Sequence, residues 1–291
     1  MSLVMGARRL GLPRFVLLVA KQLIPGMRSS DFREIRSFFV NQIGLEIGGP
    51  SRIFRPGGMF PVYEVAKRVD NTNFSSRTLW EERVDEGRAF KFHDQKPYGN
   101  QFISEASDLR VPDAMYGFVI SSHMLEHSAN PIRVLYEWTR VLRIDGVLLI
   151  VIPHKQTSFD RKRPLTSLGH LVDDYLHNTG EEDCTHFQEF VSLHDTIMDS
   201  GFRNWPEFIQ RVNDNVTYRL VHHHVFATST AIQILDYVGL RIVTVLTTLP
   251  GIVVIGRKTA DIQQAHRYNR LYLSDDARWR KTSIFSLDRR E

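Results

Sequence analysis

The sequence predicts an α/β protein built on a doubly wound, mostly parallel sheet. From Ile43 onward, apolar runs of strand length alternate with helical periods, which is the pattern of such sheets. A crossover helix is predicted after Asn130, because apolar residues recur on one helical face from 134 to 142. The clearest predicted strands are GLEI (44–47), FVIS (118–121), VLLIVI (147–152), LRIVTVL (240–246) and GIVVIG (251–256).

The chain divides into three predicted parts. A basic, amphipathic helical extension (1–40) precedes the α/β domain (41–258), and a charged, loosely attached tail (259–291) follows it. The last two strands of the domain are joined only by TTLP, which predicts an antiparallel hairpin at the sheet edge. Residues 155–219 are polar, rich in His and Asp, and lack strand-like runs, so we expect an inserted lid above the carboxyl ends of the strands.

Composition is that of a globular protein, since 42% of the 291 residues are hydrophobic and 24% are charged. The net charge of +4 comes from basic residues crowded at the two ends, which favours weak attraction to anionic surfaces over a nucleic-acid partner. A single cysteine, Cys184, excludes an intrachain disulfide and fits the reducing cytoplasm. The apolar run 15–20 is too short to span a bilayer, so the extension is either a packed helix or a peripheral contact with the inner membrane face.

The residues that follow the first three predicted strands indicate a nucleotide-like ligand. Gly48 allows the backbone to pass close to a ligand at the end of the first strand. Asp70 stands where a second strand would end, and its carboxylate could accept both ribose hydroxyl protons. Glu105 and Ala106 follow the third strand, where they could contact a base. A nicotinamide dinucleotide is disfavoured, because Ile53 occupies the position of the third glycine in G-x-G-x-x-G.

The segment YGFVISSHMLEHSANPIRVLYEWTRVLRIDGVLLIVIPH (116–154), taken with the glycine turn and Asp70, resembles the motifs of class I S-adenosylmethionine-dependent methyltransferases. The resemblance covers most of 43–154 and implies a Rossmann-like sheet with S-adenosylmethionine (SAM) as the cofactor. One departure concerns the turn, where Pro50 replaces a glycine and removes a backbone N–H. The cofactor-binding residues that the resemblance implies are Glu46, Gly48, Gly49, Asp70, Glu105, Ala106, Leu109, Ser121 and His123.

Parts of the insert resemble methyltransferases of bacterial polysaccharide and glycan biosynthesis, which implies O-methylation of a saccharide-containing acceptor. Polar side chains of the insert could bond sugar hydroxyls. The residues expected to bind the acceptor are Asp160, Arg161, Arg163, Asp174 and His186. Two other hypotheses stay open: methylation of a quinone or another lipid metabolite at a membrane surface, and a methyltransferase-like binding module without activity.

A general base is predicted at His154, which ends the fifth parallel strand beside the expected methyl position. A neutral imidazole there can accept the proton that a hydroxyl acceptor loses. His127 is the second choice, and a structural role for His154 is the alternative. Histidines at 186, 194 and 222–224 could hold a divalent ion such as Mg²⁺, but no compact ligand spacing such as HExxH is present. A metal is therefore not favoured.

Overall fold

The computed structural model describes residues 30–91, 98–249 and 251–289. Within these ranges, eight strands form one sheet in the order β3-β4-β2-β1-β5-β6-β8-β7. The predicted doubly wound sheet is therefore confirmed. The strands are β1 Ile43–Ile47, β2 Arg68–Asn73, β3 Gly87–Phe90, β4 Gly99–Ile103, β5 Tyr116–Ser122, β6 Leu142–Ile152, β7 Arg241–Thr248 and β8 Gly251–Arg257.

Strand directions follow the prediction except at one edge. β4, β2, β1, β5 and β6 run parallel, whereas β8 is antiparallel to both β6 and β7 and so closes the sheet with the predicted hairpin. β3 is an additional strand, antiparallel to β4. It was not predicted because its sequence, GRAF, has no apolar run. The strand order reverses on either side of β1. Ligands of such sheets bind outside the carboxyl ends of the strands at this switch point.

Helices cover both faces of the sheet. They are α1 Ser30–Ile35, α2 Pro131–Val141, α3 Leu168–Leu176, α4 Phe187–Leu193, α5 Trp205–Asn213, α6 Asn215–Tyr218, α7 Thr228–Tyr237, α8 Ile262–Leu273 and α9 Arg278–Thr282. The predicted crossover helix is α2. It begins where Asn130 accepts a hydrogen bond from the Arg133 N–H at 3.0 Å, with Pro131 in the first turn.

Two apolar cores sandwich the sheet, and successive residues of β5 alternate between them. Val119 packs with Trp138 of α2 on one face, while Phe118 and Ile120 pack with Phe39 on the other. Burial on both faces explains why the central strands read as continuous apolar runs. Of the predicted N-terminal extension, residues 1–29 lie outside the described part of the chain. No helix among the described residues has the length and apolarity needed to cross a bilayer.

The prediction of a loosely attached C-terminal tail is wrong. α8 packs on β7, where the Asn269 side chain accepts the Ile242 N–H at 2.7 Å and donates to the Leu240 carbonyl at 2.8 Å. Trp279 and Phe285 are buried in the main core. The polar average of this segment hid the few apolar side chains that attach it to the domain.

The segment between β6 and β7 spans 153–240, which is longer than the predicted insert of 155–219, and is called the insert from here on. It carries helices α3 to α7 and a small apolar core of its own, formed by Phe190, Phe208, Val212 and Val221. Arg163 forms a buried ion pair within the loop after β6 and also bonds the segment between α6 and α7. Arg163 bonds Asp160 at 2.8 Å and also donates to the His222 carbonyl at 2.7 Å. The insert is thus a packed subdomain, which its polar sequence did not indicate.

Candidate active site

A cavity of about 310 Å³ opens at the carboxyl ends of β1, β2, β4 and β5. Its position is the switch point of the sheet, where the sequence predicted a ligand. Five of the predicted site residues lie in its wall: Gly48, Glu105, Ala106, His123 and His127. The other lining residues are Ile47, Pro50, Ser51, Thr72, Asn73, Phe74, Trp80, Ser104, Ser122, Met124, Ser128, Glu181 and Arg219.

The turn after β1 is held from below by Glu46, which is fully buried and does not line the cavity. Its carboxylate accepts the Ser51 N–H at 2.8 Å and is bonded by the Tyr63 hydroxyl. Burial raises the pKa of Glu46 to about 8, against the opposing effect of the Ser51 hydrogen bonds. The predicted contact between Glu46 and the cofactor is therefore replaced by a role in shaping the turn.

Gly48 has a φ of +76°, a left-handed conformation that favours glycine. Its N–H donates to the Thr72 carbonyl at 2.9 Å, so the turn is joined to β2. Gly49 is not in the cavity wall, and its backbone is occupied by Asn71, which accepts its N–H at 3.1 Å. Pro50 lies in the wall instead and leaves the turn intact.

Asn73 ends β2 in the cavity wall and was not predicted as a site residue. Its Nδ2 donates to the Gly49 carbonyl at 3.1 Å, whereas its buried Oδ1 has no hydrogen-bond partner. An unpaired buried acceptor carries a free-energy cost unless a ligand satisfies it. Because Asn73 also lies in the cavity wall, its amide is a candidate hydrogen-bonding group for a ligand.

Asp70 is not at the cavity, so the prediction that it binds ribose disagrees with the structure. It pairs with Leu45 in the middle of β2 and is fully buried. Its carboxylate accepts the Asn100 N–H at 2.8 Å and the Tyr116 hydroxyl at 3.1 Å, and Arg68 forms a salt bridge to it at 3.0 Å. These bonds occupy the carboxylate and hold β2, β4 and β5 together.

Glu105 and Ala106 follow β4 in the cavity wall, as predicted from the sequence. Burial raises the pKa of Glu105, although the neighbouring Arg219 guanidinium opposes this shift with a salt bridge of 2.7 Å. The predicted contact of Leu109 with the cofactor is not supported by the structure. Leu109 is buried in the main core, and its N–H donates to Glu137 at 2.6 Å away from the cavity.

The loop after β5 forms another wall of the cavity. His123 has a φ of +53°, and its N–H donates to the Val151 carbonyl of β6 at 2.8 Å. This bond fixes the loop beside the sheet edge. Ser121 was predicted to contact the cofactor but does not line the cavity, whereas the next residue, Ser122, does. The Ser121 hydroxyl instead donates to the Ile47 carbonyl at 3.1 Å.

His127 presents a neutral imidazole at the cavity. Its Nδ1 lies 3.2 Å from the Val221 carbonyl, which can only accept, so Nδ1 carries the proton and Nε2 keeps the lone pair. Burial, together with the nearby His222, lowers the pKa of His127 to about 4. The ring is therefore unprotonated near pH 7.

A buried carboxylate lies next to this imidazole. Glu126 is fully buried, and neither of its oxygens has a hydrogen-bond partner. Burial raises the pKa of Glu126, but contacts with His123, His127 and His222 outweigh that effect and hold the pKa below its usual value. An ionised Glu126 would stabilise a positive charge on the neighbouring imidazole.

His154 is not placed to act as the general base, contrary to the prediction. It is fully buried, and its ring stacks on Phe285 with centroids 3.8 Å apart. Nδ1 accepts the Gln156 N–H at 3.1 Å, and Nε2 bonds Asp288 at 3.2 Å. Because its lone pair is already used and it does not line the cavity, the alternative of a structural role holds.

The five residues predicted to bind an acceptor also lie outside the cavity wall. Asp160 bonds the Nδ1 of His222 at 2.5 Å and pairs with Arg163, and both are nearly inaccessible. Arg161 forms a salt bridge with Asp195. His186 belongs to a separate cluster of histidines in the insert, and Asp174 lies beside His170 of that cluster. None of the five side chains therefore faces the cavity.

Residues of the insert nevertheless form the roof of the cavity. Arg219 forms salt bridges with Glu105 and Glu181, and its guanidinium lies 5.1 Å from the centre of the Phe74 ring. Glu181 also accepts the Ser128 hydroxyl at 3.0 Å. No local motif marks these contacts. Arg219 and Glu105 are 114 positions apart, so sequence spacing could not have joined them.

Two kinds of comparison find known proteins that are similar to this chain. A family model described as a methyltransferase domain matches residues 66–150. No curated protein matches the chain by sequence. A SAM-dependent methyltransferase from Mesorhizobium loti is similar in structure, with a TM-score of 0.45 and 16% identity over 78% of this chain and 96% of that one. One from Methanosarcina mazei has a TM-score of 0.44 and 16% identity, covering 78% and 98%.

The match to a methyltransferase domain covers 85 of the 291 residues, and the strand order is that of a Rossmann-like fold. The matched residues include 12 of the 18 residues that line the cavity, most of them in the loops that follow the strands.

Proposed function

We propose that this protein methylates a hydroxyl group of a saccharide-containing acceptor, with SAM as the methyl donor and His127 as the general base. The observation that carries the proposal is the neutral His127 imidazole, whose tautomer is fixed, in the wall of a cavity at the switch point of the sheet.

The cavity wall fits a nucleoside cofactor. Asn73 Oδ1 would accept a ribose hydroxyl, since it is buried without a partner at the end of β2. The turn at Gly48 would receive the methionine part, and Glu105 with Ala106 would contact adenine. When bound, SAM supplies a methyl group on a positively charged sulfonium, which leaves as a neutral thioether.

His127 would take the proton of the acceptor hydroxyl on Nε2. The Val221 carbonyl fixes the opposite nitrogen as the donor, so the base needs no tautomer change before it acts. The buried carboxylate of Glu126 would stabilise the imidazolium that forms. A well-placed general base contributes about 10²- to 10⁴-fold to a rate.

The cavity rim supports a polar, ring-shaped acceptor. Glu105, Glu181 and Arg219 offer charged hydrogen-bonding groups there, and Trp80 is 46% exposed, with its ring centre 6.2 Å from that of Phe74. An aromatic face beside carboxylates suits a sugar ring, which has apolar C–H faces and hydroxyl edges.

The proposal is tested by methyl transfer from isotopically labelled SAM to saccharides, quinols and small phenols. We expect transfer to a saccharide hydroxyl. Trp80→Ala should raise the KM for that saccharide by about 3- to 10-fold, which corresponds to roughly 0.5–1.5 kcal/mol of lost aromatic contact. Trp205→Ala is the matched control, because Trp205 of α5 is equally exposed at 46% but lies outside the cavity wall.

Transfer to quinols but not to saccharides would contradict the acceptor class. Binding of SAM without transfer to any hydroxyl acceptor would contradict the reaction itself.

A further inference from the structure

Four potential metal ligands converge in the insert, away from the cavity described above. His170 and Asp174 lie four residues apart on α3 and so share one helical face. His186 immediately precedes α4, and His224 lies in the segment between α6 and α7. Three separate segments of the chain thus bring three imidazoles and one carboxylate together.

Their spacing suits a single tetrahedral ion. The Nε2 atoms of His170 and His186 are 3.1 Å apart, and His170 Nε2 lies 3.4 Å from Asp174 Oδ2. A ring nitrogen of His224 also lies within 4.8 Å of those of His170 and His186. Tetrahedral Zn²⁺ with bonds of about 2.0–2.1 Å places neighbouring ligand atoms about 3.3–3.4 Å apart.

The protein leaves atoms in this cluster without partners. Asp174 Oδ2 and His224 Nδ1 are buried and form no hydrogen bond. The other ring nitrogen of His224 lies 3.3 Å from the Ala129 carbonyl, and the other Asp174 oxygen accepts the Thr179 hydroxyl at 3.1 Å. Ligands of a metal ion are commonly oriented in this way, by a hydrogen bond to the atom that does not bind the ion.

We propose that His170, Asp174, His186 and His224 bind one transition-metal ion of the zinc class. Three imidazoles favour zinc over Mg²⁺, which prefers oxygen ligands. Four protein ligands form a closed set, typical of structural zinc. The ion would fasten α3 and the start of α4 to the segment 220–227, which also contains His222, the neighbour of His127.

A second group in the structure, Glu126, His127 and His222, also has ligand atoms within 4.8 Å of one another. It belongs to the active site, and the experiment has to separate the two. The variants His186→Ala and Asp174→Asn test the insert site, and Asp174→Asn preserves the shape of the side chain. His127→Ala tests the other group. His177→Ala is a matched control, because His177 follows α3 but lies outside both clusters.

The untagged full chain is purified without chelator, and its metal content is measured by mass spectrometry. The chelated protein is then titrated with Zn²⁺ by calorimetry and with Co²⁺ by visible absorption. We expect one zinc ion per chain and the intense visible bands of tetrahedral Co²⁺. Affinity should fall by about 100-fold or more in His186→Ala and Asp174→Asn, and stay unchanged in His177→Ala and His127→Ala.

Substoichiometric zinc together with weak, octahedral Co²⁺ bands would overturn the proposal. So would loss of zinc in His127→Ala with retention in His186→Ala, which would place the ion in the active site. Because the readout is metal binding, the result is independent of whether the methyl-transfer proposal holds.

Discussion

Replacing Asn73 with alanine should weaken SAM binding by about 5- to 30-fold, which corresponds to roughly 1–2 kcal/mol for one buried hydrogen bond. Asn73 Oδ1 has no partner within the protein, and in the proposed cofactor site the substitution removes its bond to a ribose hydroxyl. The turn itself should survive, because the Gly49 carbonyl that Asn73 bonds also accepts the Asn71 side chain at 3.2 Å.

The matched control is Asp70→Asn, in the same strand. Asp70 bonds Arg68, Asn100 and Tyr116 and does not line the cavity. This variant should lose stability but bind SAM within about 2-fold of the wild type, since no ligand bond is removed. Isothermal titration calorimetry at a temperature where both variants are folded measures the affinities. Weaker binding in Asp70→Asn than in Asn73→Ala would refute the placement of the ribose.

Three further predictions follow from other contacts. Gly48→Ala and Gly57→Ala should each destabilise the fold by about 1 kcal/mol, because both glycines have left-handed φ angles, of +76° and +78°. Only Gly48→Ala should also abolish SAM binding in a titration, because Gly48 lies in the cavity wall and its new methyl would lie 3.3 Å from Met124. Asp288→Ala should lower the free energy of unfolding by about 3–5 kcal/mol in urea titrations, because it leaves the donors of His154, Thr228 and Ser283 unpaired. A loss below about 1 kcal/mol would mean that the C-terminal segment is only loosely attached to the domain. The pKa of Glu46 is raised to about 8 in the folded state, so the folded protein holds a proton that the unfolded chain releases above about pH 4.5. The free energy of unfolding should therefore fall as pH rises from 4.5 to 8. Glu46→Gln should reduce this pH dependence.

The strands that the sequence predicted well are those buried on both faces. β1, β5 and β6 are continuous apolar runs because cores cover both sides of the sheet. β2 was harder, since its last four residues, 70–73, are polar but almost completely buried. Their side chains bond the turn after β1 and residues on or next to β4 and β5. Without an apolar run to mark its end, the strand was taken to end at its first acidic residue, three positions too early.

The candidate site was predicted where local motifs carry it. Gly48, Glu105, Ala106, His123 and His127 follow strands directly, so the order of the motifs places them at one sheet edge. Contacts between distant segments were missed. His154 bonds Asp288 across 134 positions, and this partner is what removes it from catalysis. The same holds for Asp160, Arg161 and Arg163 of the insert, which form ion pairs within the insert instead of facing the cavity.

The most direct test of the account compares His127→Gln with His154→Gln in steady-state methyl transfer, with SAM affinity measured in parallel. The account predicts that His127→Gln lowers kcat by about 100-fold or more with SAM affinity unchanged, because only the proton acceptor is lost. His154→Gln should reduce stability but keep kcat within about 3-fold when assayed in the folded state, since His154 does not reach the cavity. A large loss of kcat in His154→Gln, with full activity in His127→Gln, would contradict the assignment of the base.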